Sequence, residues 1–425
     1  MKSKKFLGLF LVSLAFVSCS KDKDLVIVPT DTSSDEIIQE LEGPVEFVFW
    51  HGMTGALQDT LTQLTNEFMA ENENITVTLQ SQSSYKDLQQ KLTLSMTSPK
   101  QLPTLTQAYP SWMETALIDN LLVNLTPYIE DPIVGFDNYD DIIEGFKKGT
   151  EIDGKIYSIP FNKSTEVLWY NKTLFKELGL KPPTTYEEFA ETAKIITEKK
   201  GIVGGGFDSL PNYYTTYIYN QGKILDPEFD VTGPESVAAV TYYLDGIKDG
   251  YFRIAGTDNF LSGPFGNELI GMYVGSNAGE SFVLQSVGDK FEVGVVPYPA
   301  EVVLQQGTDI FMFNPSTKEQ RLAAFEYLKF LSSTESQIKW AVATGYIPTR
   351  KSAMKDILYI NSGSLISPIV EAATNNLYII NPDLETDRAF RESSTVLETI
   401  LAEPESADVE GNLEGYKKTL ITIWE

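Results

Sequence analysis

Among 425 residues there is one cysteine and one histidine. A single cysteine makes no intramolecular disulfide, so no such bridge staples this fold. The same scarcity excludes a cysteine–histidine zinc site, which needs several ligands at fixed spacing. Basic residues are in deficit: 33 Lys and Arg stand against 59 Asp and Glu, a formal net charge of −26. A surface this acidic repels nucleic acid and anionic lipid headgroups, so no nucleic-acid partner is expected. It also disfavours an anionic ligand unless the site carries its own positive charge. Long apolar runs are missing too. The stretch from Phe6 to Val17 is too short to span a bilayer as a mature helix.

That short run is instead the centre of a processing signal. Lys2, Lys4 and Lys5 precede it, and Phe16-Val17-Ser18-Cys19 closes it. The ending resembles a bacterial lipobox, with Phe16 where Leu is usual. The resemblance implies cleavage before Cys19, lipid attachment to its sulfur, and a mature protein held outside the cytoplasm on the cell membrane by that anchor alone. Loss of residues 1–18 removes three lysines and makes the chain more acidic still. Residues 19–43 are polar and acidic and read as a flexible tether.

From Val45 the pattern alternates strand and helix. Val45 to Trp50 is a strand ending at His51-Gly52-Met53-Thr54-Gly55. Leu57, Leu61, Leu64 and Phe68 share one helix face. Ile75, Val77 and Leu79 alternate as a strand, and Tyr85, Leu88 and Leu92 restore the helical period. A short strand spans Thr104 to Ala108, and Ser111 with Glu114 predicts a capped helix to about Leu122. This order predicts an α/β fold with a parallel sheet, whose ligands sit beyond the carboxyl ends of strands. The loops at 51–55, 81–85 and 109–112 fall there.

The organising stretch is Tyr157 to Gly201. Pro160 holds Ile159 extended. The polar cluster Asn162-Lys163-Ser164-Thr165 reads as a loop before a buried strand, Val167-Leu168-Trp169-Tyr170. Asn171 caps a short helix ending at Gly179, and Thr185 with Glu188 caps another ending at Gly201. Further on come tyrosines 213, 214, 217 and 219 in one helix, then a helix from Pro234 with Val237, Val240, Leu244 and Ile247 inward. Strands follow at 269–274, 291–296 and 309–313, then a helix capped by Ser316 and Glu319 and another ending at Gly345.

Four fragments stand out together: FWHGMTG (Phe49–Gly55), PFNKSTEVLWYNK (Pro160–Lys172), GMYVGSNAG (Gly271–Gly279) and TGYIPTR (Thr344–Arg350). With the leader they resemble the extracellular solute-binding proteins of bacterial ABC-type carbohydrate importers, and within that family the glycerol-3-phosphate binders. The resemblance implies a periplasmic-binding-protein-like fold: two α/β lobes, a hinge of three crossings, and an interlobe ligand cleft. The lobes would be residues 44–161 with 300–332, and 162–299 with 333–425. Later crossings are expected near Pro297 and Ser333. It implies a monomeric, non-enzymatic receptor without cofactor or metal, whose partners are a small carbohydrate and the transmembrane subunits of a permease.

Position by position, the resemblance assigns ligand contacts to Tyr85, Ser164, Ser276 or Asn277, Gly307 with nearby Asp309, and Tyr346. Loop placement adds Tyr109, Trp112, Tyr213 and Asn162, because sugars need aromatic faces for C–H surfaces and fixed polar groups for hydroxyls. Departures matter. Pro110 stands where the glycerol-3-phosphate binders have a ligand-contacting glutamate, and Leu210 where they have tryptophan. Arg388 and Arg391 lie near, not on, the phosphate-reading arginine. A phosphate dianion buried without such a donor is costly, which points to a neutral carbohydrate, with glycerol 3-phosphate or a glycerophosphodiester as the alternative. His51 reads as a hydrogen-bonded loop residue before it reads as a base, and Gly204-Gly205-Gly206 lacks the Lys-Ser/Thr of a phosphate loop. A secreted carbohydrate-active enzyme is the rival class. It needs only two carboxylates, and none here falls in a recognisable motif.

Overall fold

The computed structural model describes residues 37–425, so the leader, Cys19 and most of the tether lie outside the described residues. Ten strands make one sheet: β1 (Val45–His51), β2 (Ile75–Ser81), β3 (Leu105–Ala108), β4 (Ser158–Asn171), β5 (Gly205–Phe207), β6 (Phe252–Ile254), β7 (Met272–Ser276), β8 (Val293–Pro297), β9 (Val303–Met312) and β10 (Leu377–Tyr378). The spatial order is β2-β1-β3-β9-β4-β7-β5-β6, with β8 also on β4 and β10 on β9. As the alternation predicts, β1 runs parallel to β2 and β3.

β4 organises this sheet. Its first part, Ser158 to Thr165, pairs antiparallel with β9. From Glu166 it pairs with β7, and from Val167 with β8. One strand therefore threads both halves of the sheet, and every residue from Ser158 to Trp169 is buried. The loop expected at Asn162–Thr165 is a correction: these residues are the interior of the strand. Their polarity does not force exposure, because β9, Asn277 and Ile347 take backbone groups and buried residues take the side chains of Asn162, Lys163 and Thr165.

Alternation along β4 sends neighbours to opposite faces. Leu168 joins a core with Phe189, Tyr213 and Leu397, while Val167 and Trp169 join another with Phe265 and Tyr273. The β1 half has its own pair of cores, one holding Phe49, Leu61, Phe161 and Trp340, the other Trp50, Leu88 and Trp112.

The longer helices follow their caps: α1 (Gly55–Glu71), α2 (Tyr85–Met96), α3 (Lys172–Leu178), α4 (Tyr186–Lys200), α5 (Leu210–Asn220), α6 (Pro234–Lys248), α7 (Glu280–Val287), α8 (Lys318–Leu331), α9 (Thr334–Thr344), α10 (Leu384–Ala402) and α11 (Val409–Trp424). Asn171 and Thr185 accept N-terminal amides of α3 and α4, and Gly179 and Gly201 close them in the left-handed conformation. The box on α8 is Thr317 with Gln320, one residue beyond the expected pair. Ser111 caps nothing: residues Pro110–Met113 coil into a tight turn and the helix after it spans only Glu114–Ile118. On α6, Val237 faces solvent while Ala239 and Tyr243 turn inward. Among the described residues no helix is long and apolar enough to cross a membrane.

Candidate ligand-binding cavity

Where β4 changes partners, a cavity of about 810 Å³ opens. One wall comes from the carboxyl ends of β1 and β3 and the start of α2: Thr54, Tyr85, Lys86 and the turn from Tyr109 to Trp112. The floor is Lys163, Ser164 and Glu166 of β4 with Gln305 to Gly307 of β9. The opposite wall carries Asp208, Ser209 and Asn212 after β5, and Tyr273 and Ser276 of β7. Tyr346, three residues of α10 (Asp387, Phe390 and Arg391) and the apolar side chains of Phe260, Phe282, Ile379 and Ile380 also line it.

The aromatic wall is a packed group. Tyr109 and Trp112 lie 5.1 Å apart, and Tyr85 meets both edge-on at 5.8 and 6.3 Å. Tyr346 stacks on Trp340 at 5.7 Å and 17°. Its hydroxyl is 3.4 Å from that of Tyr85. Behind them runs a chain of amides. Gly52 N–H donates to Gln107 Oε1, Gln107 Nε2 to Asn162 Oδ1, and Asn162 Nδ2 to the Tyr85 hydroxyl at 2.8 Å. Thr308 Oγ1 also donates to Asn162 Oδ1. Burial raises the pKa of both Tyr85 and Tyr346, so their hydroxyls stay protonated and available as donors.

Of the residues picked from sequence, Tyr85, Tyr109, Trp112, Ser164, Ser276, Gly307 and Tyr346 do line this cavity. Four others do not. Asn162 is buried behind Tyr85 and orients it. Asn277 is spent on structure: its Oδ1 accepts from Thr165 N–H at 2.7 Å and its Nδ2 donates to the Gly345 carbonyl, stitching the Tyr346 segment to β4. Asp309 forms a buried ion pair with Lys163 and accepts from Ser158 Oγ. Tyr213 points into the core, where its ring lies 4.5 Å from Phe207 and its hydroxyl donates to the Ala239 carbonyl. α5 turns Tyr213, Tyr214 and Tyr217 toward α6, where apolar partners are, and stacks Tyr219 on Tyr378 of β10. Gly307 is required as glycine: φ is +98°, and a Cβ would sit 2.0 Å from the Asn162 carbonyl oxygen.

Sequence reasoning missed Glu166, Asp208 and Asn212. Glu166 is 2% exposed, accepts from Asn212 Nδ2 at 3.1 Å through Oε1, and has no partner at Oε2. Burial pushes its pKa up to about 8, with Asp208 adding to the rise. Burial likewise pushes Asp208 up to about 7, opposed by the Leu261 N–H it accepts. An acidic residue directly before a buried strand was the available signal. Arg391 reaches the cavity but is held by Asp387 at 2.7 Å, while Arg388 is exposed and Leu210 lies in the core; neither lines the cavity. His51 is buried, its Nδ1 accepts the Met53 N–H, and desolvation lowers its pKa to about 4. Among the described residues no group of three His, Cys, Asp or Glu is placed to hold a metal.

The raised carboxyls set a pH signature. Folding keeps protons on Glu166 and Asp208 that an unfolded chain releases near its ordinary values of 4.5 and 3.8. Their contribution is complete below those values and is lost as pH rises through about 7 to 8. His51 works with opposite sign, but only below its ordinary 6.5. The melting temperature of the ligand-free protein is therefore expected to fall between about pH 6.5 and 8, and Glu166→Gln to flatten that slope and raise the value at its alkaline end. Parallel curves for the two proteins would refute the assignment.

A profile described as bacterial extracellular solute-binding protein matches residues 63–363, more than half of the chain. The chain belongs to this family. The glycerol-3-phosphate-binding periplasmic protein UgpB of Brucella abortus is 26% identical over 332 residues, covering 73% of this chain and 76% of that one. Its Escherichia coli K12 counterpart is 25% identical over 329 residues, 72% and 74% of the two chains. Among solved structures, UgpB from Mycobacterium tuberculosis in complex with glycerophosphocholine superposes with a TM-score of 0.78 at 20% identity, covering 90% of this chain and 99% of that one. Maltose-bound MalE3 of T. maritima gives 0.76 at 20%, covering 89% and 99%. The expected α/β fold of periplasmic solute-binding proteins is thus the fold observed. Solute-binding proteins of this family are transport receptors that do not turn their ligand over, which sets aside the rival reading of a secreted carbohydrate-active enzyme.

Proposed function

We propose that this solute-binding protein is the receptor of an ABC importer, capturing a carbohydrate in the cavity at β4 and handing it to a membrane permease. The supporting observation is the wall composition: stacked and edge-on aromatics on one side, and carboxyl, amide and hydroxyl groups on the other. Two lobes, residues 44–161 with 300–332 and 162–299 with 333–425, close about β4 and its neighbour β9 by hinge motion. Tyr85, Tyr109, Ser164, Ser276, Gly307 and Tyr346 contact the ligand, and Trp112 packs against its ring face. Solved relatives of this fold are described with maltose and with acarbose.

The second reading is a glycerophosphodiester or glycerol 3-phosphate, favoured by the relatives' names and by Arg391 and Lys86 on the wall. Against it, Arg391 already serves Asp387, and Lys86 is exposed. A thermal-shift screen with mono-, di- and trisaccharides, glycerol 3-phosphate and glycerophosphocholine separates the two, because a ligand selective for the folded form raises its melting temperature. Sugars are expected to shift it, with affinity in the micromolar range or tighter, about −8 kcal/mol. Shifts from the phosphates alone would overturn the carbohydrate reading.

Anchoring rests on Cys19. Cys19→Ser is expected to release the protein from the membrane fraction, as scored by immunoblot after fractionation. Retention of the variant there would count against a lipid on its sulfur.

A further inference from the structure

Each cation on the cavity wall except exposed Lys86 has an acidic partner inside the protein: Lys163 has Asp309, and Arg391 has Asp387. The carboxyls at the other end have none. Glu166 and Asp208 face the cavity with one amide, from Asn212, and one backbone N–H, from Leu261, between them. Glu166 Oε2 is buried without any partner. A buried polar atom left unpaired is a standing penalty that a bound group removes.

Backbone pairing brings these groups to one end of the cavity. Glu166 on β4 is directly opposite Ser276 on β7. The next pair, Val167 with Gly275, points to the opposite face, and there a Cβ would stand 2.8 Å from Asp208 Oδ2, so Glu166 and Asp208 flank the sheet from its two sides. Asp208 thus reaches toward the sheet only because position 275 is glycine. Ser209 and Asn212 open α5 beside it.

Resting on the carbohydrate reading above, we propose that Glu166, Asp208, Asn212 and Ser276 form the specificity-setting end of the cavity, reading adjacent hydroxyls of a neutral sugar ring. A hydroxyl both donates and accepts, so it satisfies a carboxyl in either protonation state. An ammonium satisfies only the ionised form, which burial disfavours here. Anionic groups meet carboxyls at this end and are refused. Such a site rejects analogues lacking the hydroxyl, because its own polar atoms are then left unpaired.

The discriminating variant is Glu166→Leu. It removes both oxygens at similar volume, so a ring hydroxyl loses its partner at Oε2 and Asn212 Nδ2 loses its acceptor. Calorimetry would use maltose, trehalose, cellobiose, maltotriose, glucosamine and glycerol 3-phosphate on wild type and variant. Every sugar that binds wild type is expected to bind the variant at least tenfold more weakly, with a cooperative ligand-free melting transition retained. Single deoxy analogues of that sugar should include one that loses a similar factor on wild type and little more on the variant. Sugar binding that changes less than twofold in the variant would overturn this subsite and leave the receptor reading standing. Glucosamine binding more tightly than neutral sugars, and lost in the variant, would overturn the hydroxyl assignment in favour of an ammonium. Glycerol 3-phosphate binding with no sugar binding would sink the carbohydrate reading and this inference with it.

Discussion

Replacing Asp309 with alanine is expected to destabilise the protein by about 3–5 kcal/mol, because it strands the Lys163 ammonium in the interior. The two side chains are 0% and 3% exposed and bridge β9 to β4, the strands that carry the cavity floor. Burial raises the pKa of the Asp309 carboxyl, and Lys163 beside it pulls it back down. Neither charge has water to fall back on, so losing one partner is far worse than losing both. The double variant Lys163→Met with Asp309→Leu should recover most of the loss. Urea unfolding provides the check: a lower midpoint at unchanged slope reports stability alone. A single-variant loss under about 1 kcal/mol would mean that the pair behaves as a solvated surface bridge.

Removing the Tyr346 ring is the second large effect. Tyr346→Ala is expected to weaken carbohydrate binding at least tenfold, about 1.4 kcal/mol. It should also destabilise the fold by about 3–5 kcal/mol, the range for large aromatic truncations in cores. The structural part is unavoidable, because the ring stacks on Trp340 and is only 6% exposed. The TGYIP segment reads from sequence as a loop that an alanine would leave intact. In the fold it is stitched to β4, with Ile347 N–H donating to the Lys163 carbonyl and Asn277 holding Gly345. Tyr346→Phe separates the two roles: it keeps the stack and removes only the hydroxyl beside Tyr85, an effect of about 1 kcal/mol on binding. Calorimetry well below the melting point of each variant is the measurement. Unchanged affinity in the alanine variant would remove Tyr346 from the site.

The order of strands and helices was legible because it is written locally. The α3 and α4 caps at Asn171 and Thr185 and the stops at Gly179 and Gly201 stand where they were read, since each satisfies helix-end groups within four residues. The capping box on α8 slipped by one residue, because Thr317 and Ser316 both suit the role and only the final backbone chooses. The family fragments located Ser164, Ser276 and Tyr346 on the cavity wall, and the wider resemblance added Tyr85 and Gly307.

Other features were set between segments far apart in the chain. Asn162 and Asn277 look like ligand groups as residue types. They became internal braces because Gln107, Thr308, Thr165 and Gly345 arrive beside them from distant segments. Glu166 and Asp208 look like ordinary acids, yet strand pairing buries both at one end of the cavity without a cation. Local periodicity and capping are settled over a dozen residues, so the sequence alone determines them. Which polar side chain is left needing a partner depends on what packs around it, and that exists only once β4 has paired with β9 on one stretch and β7 on the next.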